Sequence, residues 1–151
     1  MKTSSLGIAL LASVALGCSD SAAGPGPAGE ATPALLVGTW VGSSYTVTSV
    51  ANTSLSANLF DMGMTLSIVF TETGYTGIST FPGDPDENFS GTYTISGLVI
   101  TTVEVGIPDP ELFGYTLVGS VLTMTGVDET YDFDNDGADE PATFMMILNK
   151  Q

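Results

Sequence analysis

Apolar and polar side chains alternate with a period of two along most of the chain from residue 35 onward. In the clearest segment, Leu66, Ile68 and Phe70 alternate with serine, valine and threonine. Because successive side chains of a β-strand point to opposite faces, this pattern predicts strands rather than helices. Residues 51–62 lack the alternation and are expected to hold a short helical turn. The predicted strands span residues 37–49, 63–72, 75–81, 89–96, 98–105, 112–119, 121–127 and 142–149.

The connections between these strands are short, so neighbours along the chain are expected to pair directly. Gly97 alone separates two strands, and the segment 93–101 around it recurs as 115–123 around Gly119. The prediction is an all-β fold, an antiparallel up-and-down barrel of about eight strands, because closure of the sheet leaves no exposed edge. Such a barrel is either filled by side chains or holds one small ligand. The candidate inward-facing residues are Tyr45, Val47, Leu66, Ile68, Phe70, Phe81, Tyr93, Phe113, Met124 and Met146.

A Gly-x-Trp motif, Gly38 to Trp40, stands at the start of the first predicted strand. Together with segments 64–76, 91–97 and 115–125, it resembles the bacterial lipocalin-like domains. The resemblance extends over roughly residues 35–149 and implies a lipocalin-like barrel with a small apolar ligand. We interpret Trp40 as a large aromatic side chain that closes one end of the core, in preference to a ligand contact.

The charge of the chain is one-sided, with 17 Asp and Glu residues, two Lys or Arg residues and no His, a formal net charge of −15. A nucleic-acid-binding protein needs a cationic face to displace phosphate counterions, so this class is excluded. Catalysis by an imidazole base or an Arg clamp is excluded by the same composition. Glycosidases need only a carboxylate pair, but so many acids supply such a pair by chance. We therefore predict that the protein is not an enzyme.

Carboxylates are densest in residues 128–140, where seven of thirteen positions are acidic. Within this run, Asp132, Asp134 and Asp136 occupy alternate positions, and Gly137 follows them. Loops that surround a Ca²⁺ ion with oxygen ligands have this spacing. The run resembles the Asp-x-Asp-x-Asp-Gly-x-x-Asp loops between strands of integrin-like propeller repeats. The alternative is a solvated acidic hairpin loop, which is also our interpretation of the acidic segments 84–87 and 109–111. The predicted Ca²⁺ ligands are the side chains of Asp132, Asp134, Asp136 and Glu140 and the carbonyl of Ala138.

The N-terminus has the pattern of a secretory signal peptide over residues 1–17, with Lys2 followed by an apolar run from residue 6 to residue 16. The run is shorter than the ~20 residues that span a bilayer. Residues 15–18, Ala-Leu-Gly-Cys, resemble the lipobox of bacterial lipoproteins, which implies acylation of Cys18. The alternative is an ordinary signal peptide with an incidental cysteine.

The predicted organisation is a signal peptide (1–17), a lipidated cysteine with a flexible Gly- and Pro-rich tether (18–34), and a barrel domain (35–151). Because the chain is acidic, acyl chains rather than anionic headgroups would attach it to a membrane. The lipoprotein resemblance implies the bacterial cell envelope, and Ser19 favours the outer membrane. No nucleic-acid partner is expected.

The function predicted from the sequence is that of a lipid-anchored, lipocalin-like protein that binds a small apolar ligand and carries a Ca²⁺-stabilised hairpin loop. The alternative is a structural or interaction lipoprotein with a fully packed barrel and an acidic rim that meets a partner. An interior cavity above ~300 Å³, the lower end of the range for ligand pockets, favours the first function.

Overall fold

The computed structural model describes residues 32–151, apart from the side chain of Asp128. The predicted signal peptide, Cys18 and most of the predicted tether lie outside the described residues. Within residues 32–151, no helix is long and apolar enough to cross a membrane. The elements are a short helix and nine strands: α1 (Pro33–Leu36), β1 (Gly38–Ser49), β2 (Ser56–Asn58), β3 (Thr65–Phe70), β4 (Gly74–Thr80), β5 (Glu87–Ser96), β6 (Val99–Glu104), β7 (Glu111–Val118), β8 (Val121–Tyr131) and β9 (Glu140–Lys150).

The nine strands form one antiparallel sheet in the order β2-β1-β3-β4-β5-β6-β7-β8-β9, and β1 also pairs with β9. This last pairing runs from Trp40 opposite Lys150 to Ser49 opposite Ala142 and closes the sheet. Without the three-residue β2, eight strands form the closed wall. The predicted up-and-down antiparallel barrel is therefore confirmed.

Residues 51–62 contain the strand β2, which the sequence did not predict, followed by a turn in which the N–H groups of residues 61–63 donate to the carbonyls of residues 58–60. Successive bonds between residues three apart are those of a 3₁₀ turn, so the expected short helical turn is present beside β2. Strand β3 pairs with β1 only as far as Val41, which leaves the later part of that edge of β1 without a neighbouring strand. Residues 56–58 pair with Thr46 to Thr48 and satisfy backbone groups that would otherwise lack hydrogen bonds. The strands at the acidic hairpin are longer than predicted, since β8 continues to Tyr131 and β9 begins at Glu140.

One end of the barrel, here called the closed end, has tight turns at residues 71–73, 97–98 and 119–120. Trp40 is fully buried at this end, and its indole Nε1 donates a hydrogen bond to the Leu36 carbonyl at 2.6 Å. The Nζ atom of Lys150 lies 5.4 Å from the centroid of the Trp40 ring and donates to the Leu35 carbonyl at 2.9 Å. Helix α1 and Trp40 together close this end.

The opposite end, here called the open end, carries the longer connections, residues 50–64, 81–86, 105–110 and 132–139. Within residues 32–151, Glu72 is the only acidic residue in a turn of the closed end. The other carboxylates belong to the open-end connections or to the strand segments beside them. Lys150, the basic residue of this part of the chain, lies at the closed end, so charge is separated along the barrel axis.

The core follows the predicted alternation, because one face of each strand points into the barrel. All of the candidate inward-facing residues except Phe81 belong to the core or pack against it. Phe81 follows the end of β4 in the turn of residues 81–86, so the strand pattern no longer directs its side chain. The two repeated segments form equivalent hairpins, with Gly97 and Gly119 at φ values of +58° and +60°.

Candidate functional site

A cavity of about 540 Å³ lies inside the barrel and extends to its open end. Its volume falls within the ~300–1,000 Å³ range of pockets that hold small molecules. Most of its wall is apolar, with methionine, leucine and isoleucine side chains from β3, β8 and β9. The aromatic part of the wall consists of Tyr45, Phe70, Tyr75, Phe89, Phe113 and Phe144.

Glycines opposite aromatic residues explain why the interior is not filled. Where an inward-facing glycine pairs with an aromatic residue on the next strand, an added Cβ would collide with the aromatic ring. The ring therefore lies over the glycine along the wall, as in other sheets where aromatic side chains cover glycines. The interior beyond the ring stays open. The cross-strand pairs are Tyr75 with Gly91, Gly77 with Phe89, and Gly126 with Phe144.

Four glutamates line the cavity toward its open end: Glu87, Glu104, Glu111 and Glu129. They come from different strands, at the first residue of β5, the last of β6, the first of β7 and near the end of β8. Each stands at a strand position whose side chain faces the interior. The charged side chains of the cavity wall are therefore all acidic.

One hydrogen bond within the cavity wall joins Tyr45 to Glu129. The Tyr45 hydroxyl donates a hydrogen bond to Glu129 Oε1 at 2.7 Å, and the Tyr45 ring stacks on Phe144 with centroids 5.2 Å apart. Burial raises the pKa of Tyr45 well above its ordinary value, and the hydrogen bond and negative charge of Glu129 raise it further. Tyr45 therefore remains a neutral hydrogen-bond donor that positions this carboxylate.

The carboxyl group of Glu111 has a raised pKa. Desolvation raises the pKa of its carboxyl group, and the charges of Glu104 and Glu129 raise it further. The pKa of Tyr75 is also raised, first by burial, while the hydroxyl of Thr102 lowers it and the charges of Glu104 and Glu111 raise it. These carboxylates therefore share one partly desolvated region.

The glutamates of the cavity are functional candidates that the sequence interpretation missed. It assigned Glu87 and Glu111 to solvated loops, whereas both begin strands and line the cavity. The alternation that predicts an inward-facing Phe113 also places Glu111 on the inner face, so the sequence pattern could have placed Glu111 in the cavity wall. Glu129 is different, because a register shift between Gly126 and Glu129 reverses the alternation in β8.

The predicted Ca²⁺ ligands come together in the connection between β8 and β9. One oxygen from each of Asp132, Asp134, Asp136 and Glu140 lies within 4.8 Å of the others. Oxygens around Ca²⁺ lie at roughly 2.3–2.6 Å from the ion, so ligands on opposite sides are about 5 Å apart. The four side chains thus fit around one such ion. Asp132 and Glu140 are half-buried, and the other two are exposed.

Backbone hydrogen bonds hold these carboxylates in place. The Gly137 N–H donates to Asp132 Oδ2 at 3.0 Å, and the Ala138 N–H donates to Asp136 Oδ1 at 2.8 Å. Gly137 has a φ of +91°, which favours glycine and turns the chain back toward β9. The predicted role of Gly137 as the turning residue agrees with this geometry.

Aromatic packing connects the loop to the barrel. The Phe133 N–H donates to Glu140 Oε2 at 2.9 Å, and the Phe133 ring packs edge-on against Tyr131 with centroids 4.9 Å apart. Both rings pack against the hydrophobic core. The acidic loop is thus attached to the same end of the barrel at which the cavity opens.

Comparison of the chain with family models, with curated proteins and with solved structures finds no match.

Proposed function

We propose that this protein is a secreted, lipid-anchored, lipocalin-like barrel that binds one small apolar ligand and catalyses no reaction. The observation that carries the proposal is the cavity of about 540 Å³ with its aromatic and aliphatic wall. Burial of an apolar molecule against such a wall is favourable by about 25 cal/mol per Å² of apolar surface removed from water. A packed barrel, the alternative, would not leave this volume in its interior.

A fluorescence titration with prodan, a neutral dye that brightens in apolar surroundings, tests this function. The chain has a single tryptophan, Trp40, which is buried inside the closed end. Energy transfer from Trp40 to the dye therefore reports binding close to the barrel core. We expect saturation at one dye per chain.

Two variants on one strand separate binding in the cavity from binding elsewhere. Thr102 is buried and lines the cavity, whereas Thr101 precedes it on β6 and faces the other side of the sheet. Thr102→Phe should weaken prodan binding by about tenfold or more, and Thr101→Phe by less than about twofold. Circular dichroism verifies that both variants fold. Equal binding by the two folded variants, or no binding to the parent chain, would contradict the proposed function.

The acidic loop supports a second proposal, that residues 132–140 bind Ca²⁺ and thereby stabilise the last hairpin. Its donors would be Asp132, Asp134, Asp136, Glu140 and the carbonyl of Ala138. All of the side-chain donors are oxygens, which suits a hard cation. The ion would supply positive charge to a loop that contains no basic residue. Its expected effect is on stability rather than on catalysis.

Thermal unfolding in chelator, Ca²⁺ and Mg²⁺ tests the loop. Extracellular Ca²⁺ modules bind the ion with Kd of ~10⁻⁴–10⁻³ M, so the stabilisation should be measurable at millimolar Ca²⁺. When the Ca²⁺ concentration is a hundred times Kd, binding to the folded state alone adds about 2.7 kcal/mol to the free energy of unfolding. Mg²⁺ should add much less, because it requires a tighter octahedral geometry.

The matched control removes two charges from another open-end connection. Asp134→Asn with Asp136→Asn should abolish the response to Ca²⁺, whereas Asp84→Asn with Asp86→Asn should leave it intact. If monovalent salt at equal ionic strength stabilises the chain as much as Ca²⁺ does, screening accounts for the effect and the proposal fails.

A further inference from the structure

The wall of the cavity carries charge of one sign. Glu87, Glu104, Glu111 and Glu129 line it, and the lining contains no basic side chain. Within residues 32–151, the one basic residue is Lys150, whose Nζ atom donates to the Leu35 carbonyl at the closed end. The carboxylates of the cavity therefore have no cationic partner in the described part of the chain.

The strands themselves place these carboxylates beside the apolar interior. Along β6, Ile100, Thr102 and Glu104 share one face, and along β7, Glu111 and Phe113 do so. Thr102 stands opposite Glu111 in the register of the two strands. The acidic groups thus form the outer part of the same wall whose inner part is apolar.

Electrostatics at this position favour a cation. Like charges in a partly desolvated region oppose one another's ionisation, and an added positive charge relieves that repulsion. Desolvation raises the pKa of Glu111, and the negative charges of Glu104 and Glu129 raise it further. An anionic head group at the same place would add to the repulsion instead.

Aromatic rings adjoin the acidic part of the wall. Tyr45 bonds to Glu129 through its hydroxyl and stacks on Phe144, and Phe113 meets Phe144 with centroids 5.8 Å apart. The face of an aromatic ring attracts an ammonium group, most strongly where water is excluded. Carboxylates and ring faces together form surroundings that suit an ammonium group on an apolar body.

We propose that the ligand of this barrel is a cationic amphiphile, an apolar chain or ring system that carries an ammonium group. Its apolar body occupies the inner part of the cavity beside Ile68, Met124 and Met146. Its ammonium group lies toward the open end among Glu104, Glu111 and Glu129. This inference rests on the proposed ligand-binding function and adds the charge of the ligand to it.

A series of probes with the same alkyl chain and different head groups tests the inference. Decyltrimethylammonium, decanol and decanoate each compete with prodan for the purified chain, in chelator, with the two ionic probes below their micelle concentrations and decanol below its solubility limit. We expect the cation to bind about tenfold more tightly than decanol, and decanoate to bind most weakly. Equal binding of decanol and the cation would overturn the inference while the ligand-binding function stands. If prodan itself does not bind, the proposed function fails first.

Charge-neutral variants identify the carboxylates responsible. The double variant Glu104→Gln with Glu111→Gln should weaken binding of the cation by about tenfold and change binding of decanol by less than about twofold. Asp84→Asn with Asp86→Asn removes the same charge at the same end, outside the cavity lining, and should change neither. If the two double variants weaken binding of the cation equally, the net charge of the protein attracts the cation and the proposed site is wrong.

Discussion

Replacement of Trp40 by alanine removes the side chain that closes one end of the barrel. Trp40 has no exposed surface, and its Nε1 donates to the Leu36 carbonyl at 2.6 Å. The ring also lies beneath the Lys150 ammonium group, at 5.4 Å from ring centroid to Nζ. The substitution therefore removes packing, a buried hydrogen bond and a cation–π contact together.

The expected loss follows from these contacts. Truncation of a fully buried Phe or Trp to Ala costs about 3–5 kcal/mol, because a cavity replaces the ring. Trp40→Phe keeps most of the packing but leaves the buried Leu36 carbonyl without its indole donor, a cost of about 1–3 kcal/mol. Since small domains unfold with about 5–15 kcal/mol, the alanine variant should lose a large fraction of its stability.

Urea unfolding followed by far-ultraviolet circular dichroism measures these losses, since the variants lack the tryptophan that fluorescence requires. Val41 is the matched control, because it adjoins Trp40 on β1 and is 39% exposed on the outer face. Val41→Ala should change the free energy of unfolding by less than about 0.5 kcal/mol. A loss below about 1 kcal/mol for Trp40→Ala would refute the role of Trp40 in closing the barrel.

Three further predictions concern the anchor, the acidic wall and the glycines. Cys18→Ser should abolish palmitate labelling and move the folded chain from the membrane pellet to the soluble fraction; retention in the pellet would contradict the lipid anchor. Because the folded pKa of Glu111 is raised, the folded state binds more protons, so this group's contribution to stability falls as pH rises from 4.5 through the raised pKa. Glu111→Gln should remove that decline in urea unfolding, and unchanged pH dependence would argue against it. Gly77→Ala should cost about 1–3 kcal/mol, because the new methyl group meets the Phe89 ring, and the Phe89→Leu background should reduce this cost.

The wall of the barrel is predictable from the sequence, because inward and outward side chains alternate wherever a strand is regular. The period of two in β3 and the short turns at Gly97 and Gly119 lead to an up-and-down order without further information. The clustering of the four acidic side chains of the loop was also predictable from spacing, since Asp132 to Glu140 lie close together in sequence. The strand β2 was not, because it forms only where β3 leaves part of β1 unpaired.

The interior is less predictable, because it depends on register between strands. Pairing of Gly77 with Phe89 keeps the interior open, and no single segment shows which residues are opposite one another. Shifts between Gly42 and Ser44 and between Gly126 and Glu129 reverse the alternation within β1 and β8. An alternation continued across such a shift predicts the wrong face, as it does for Glu129 when it is counted from Met124. Tyr45 and Val47 were predicted correctly because their own local alternation lies wholly beyond the shift in β1.

Native mass spectrometry of the protein, purified from the cells that produce it, is the decisive measurement for a ligand-binding barrel. We expect one non-covalent organic adduct per chain, which dissociates on denaturation and is lost from Thr102→Phe but retained by Thr101→Phe. We also expect the adduct to carry positive charge. A chain without such an adduct, or an adduct that both variants retain equally, would contradict a ligand-binding barrel.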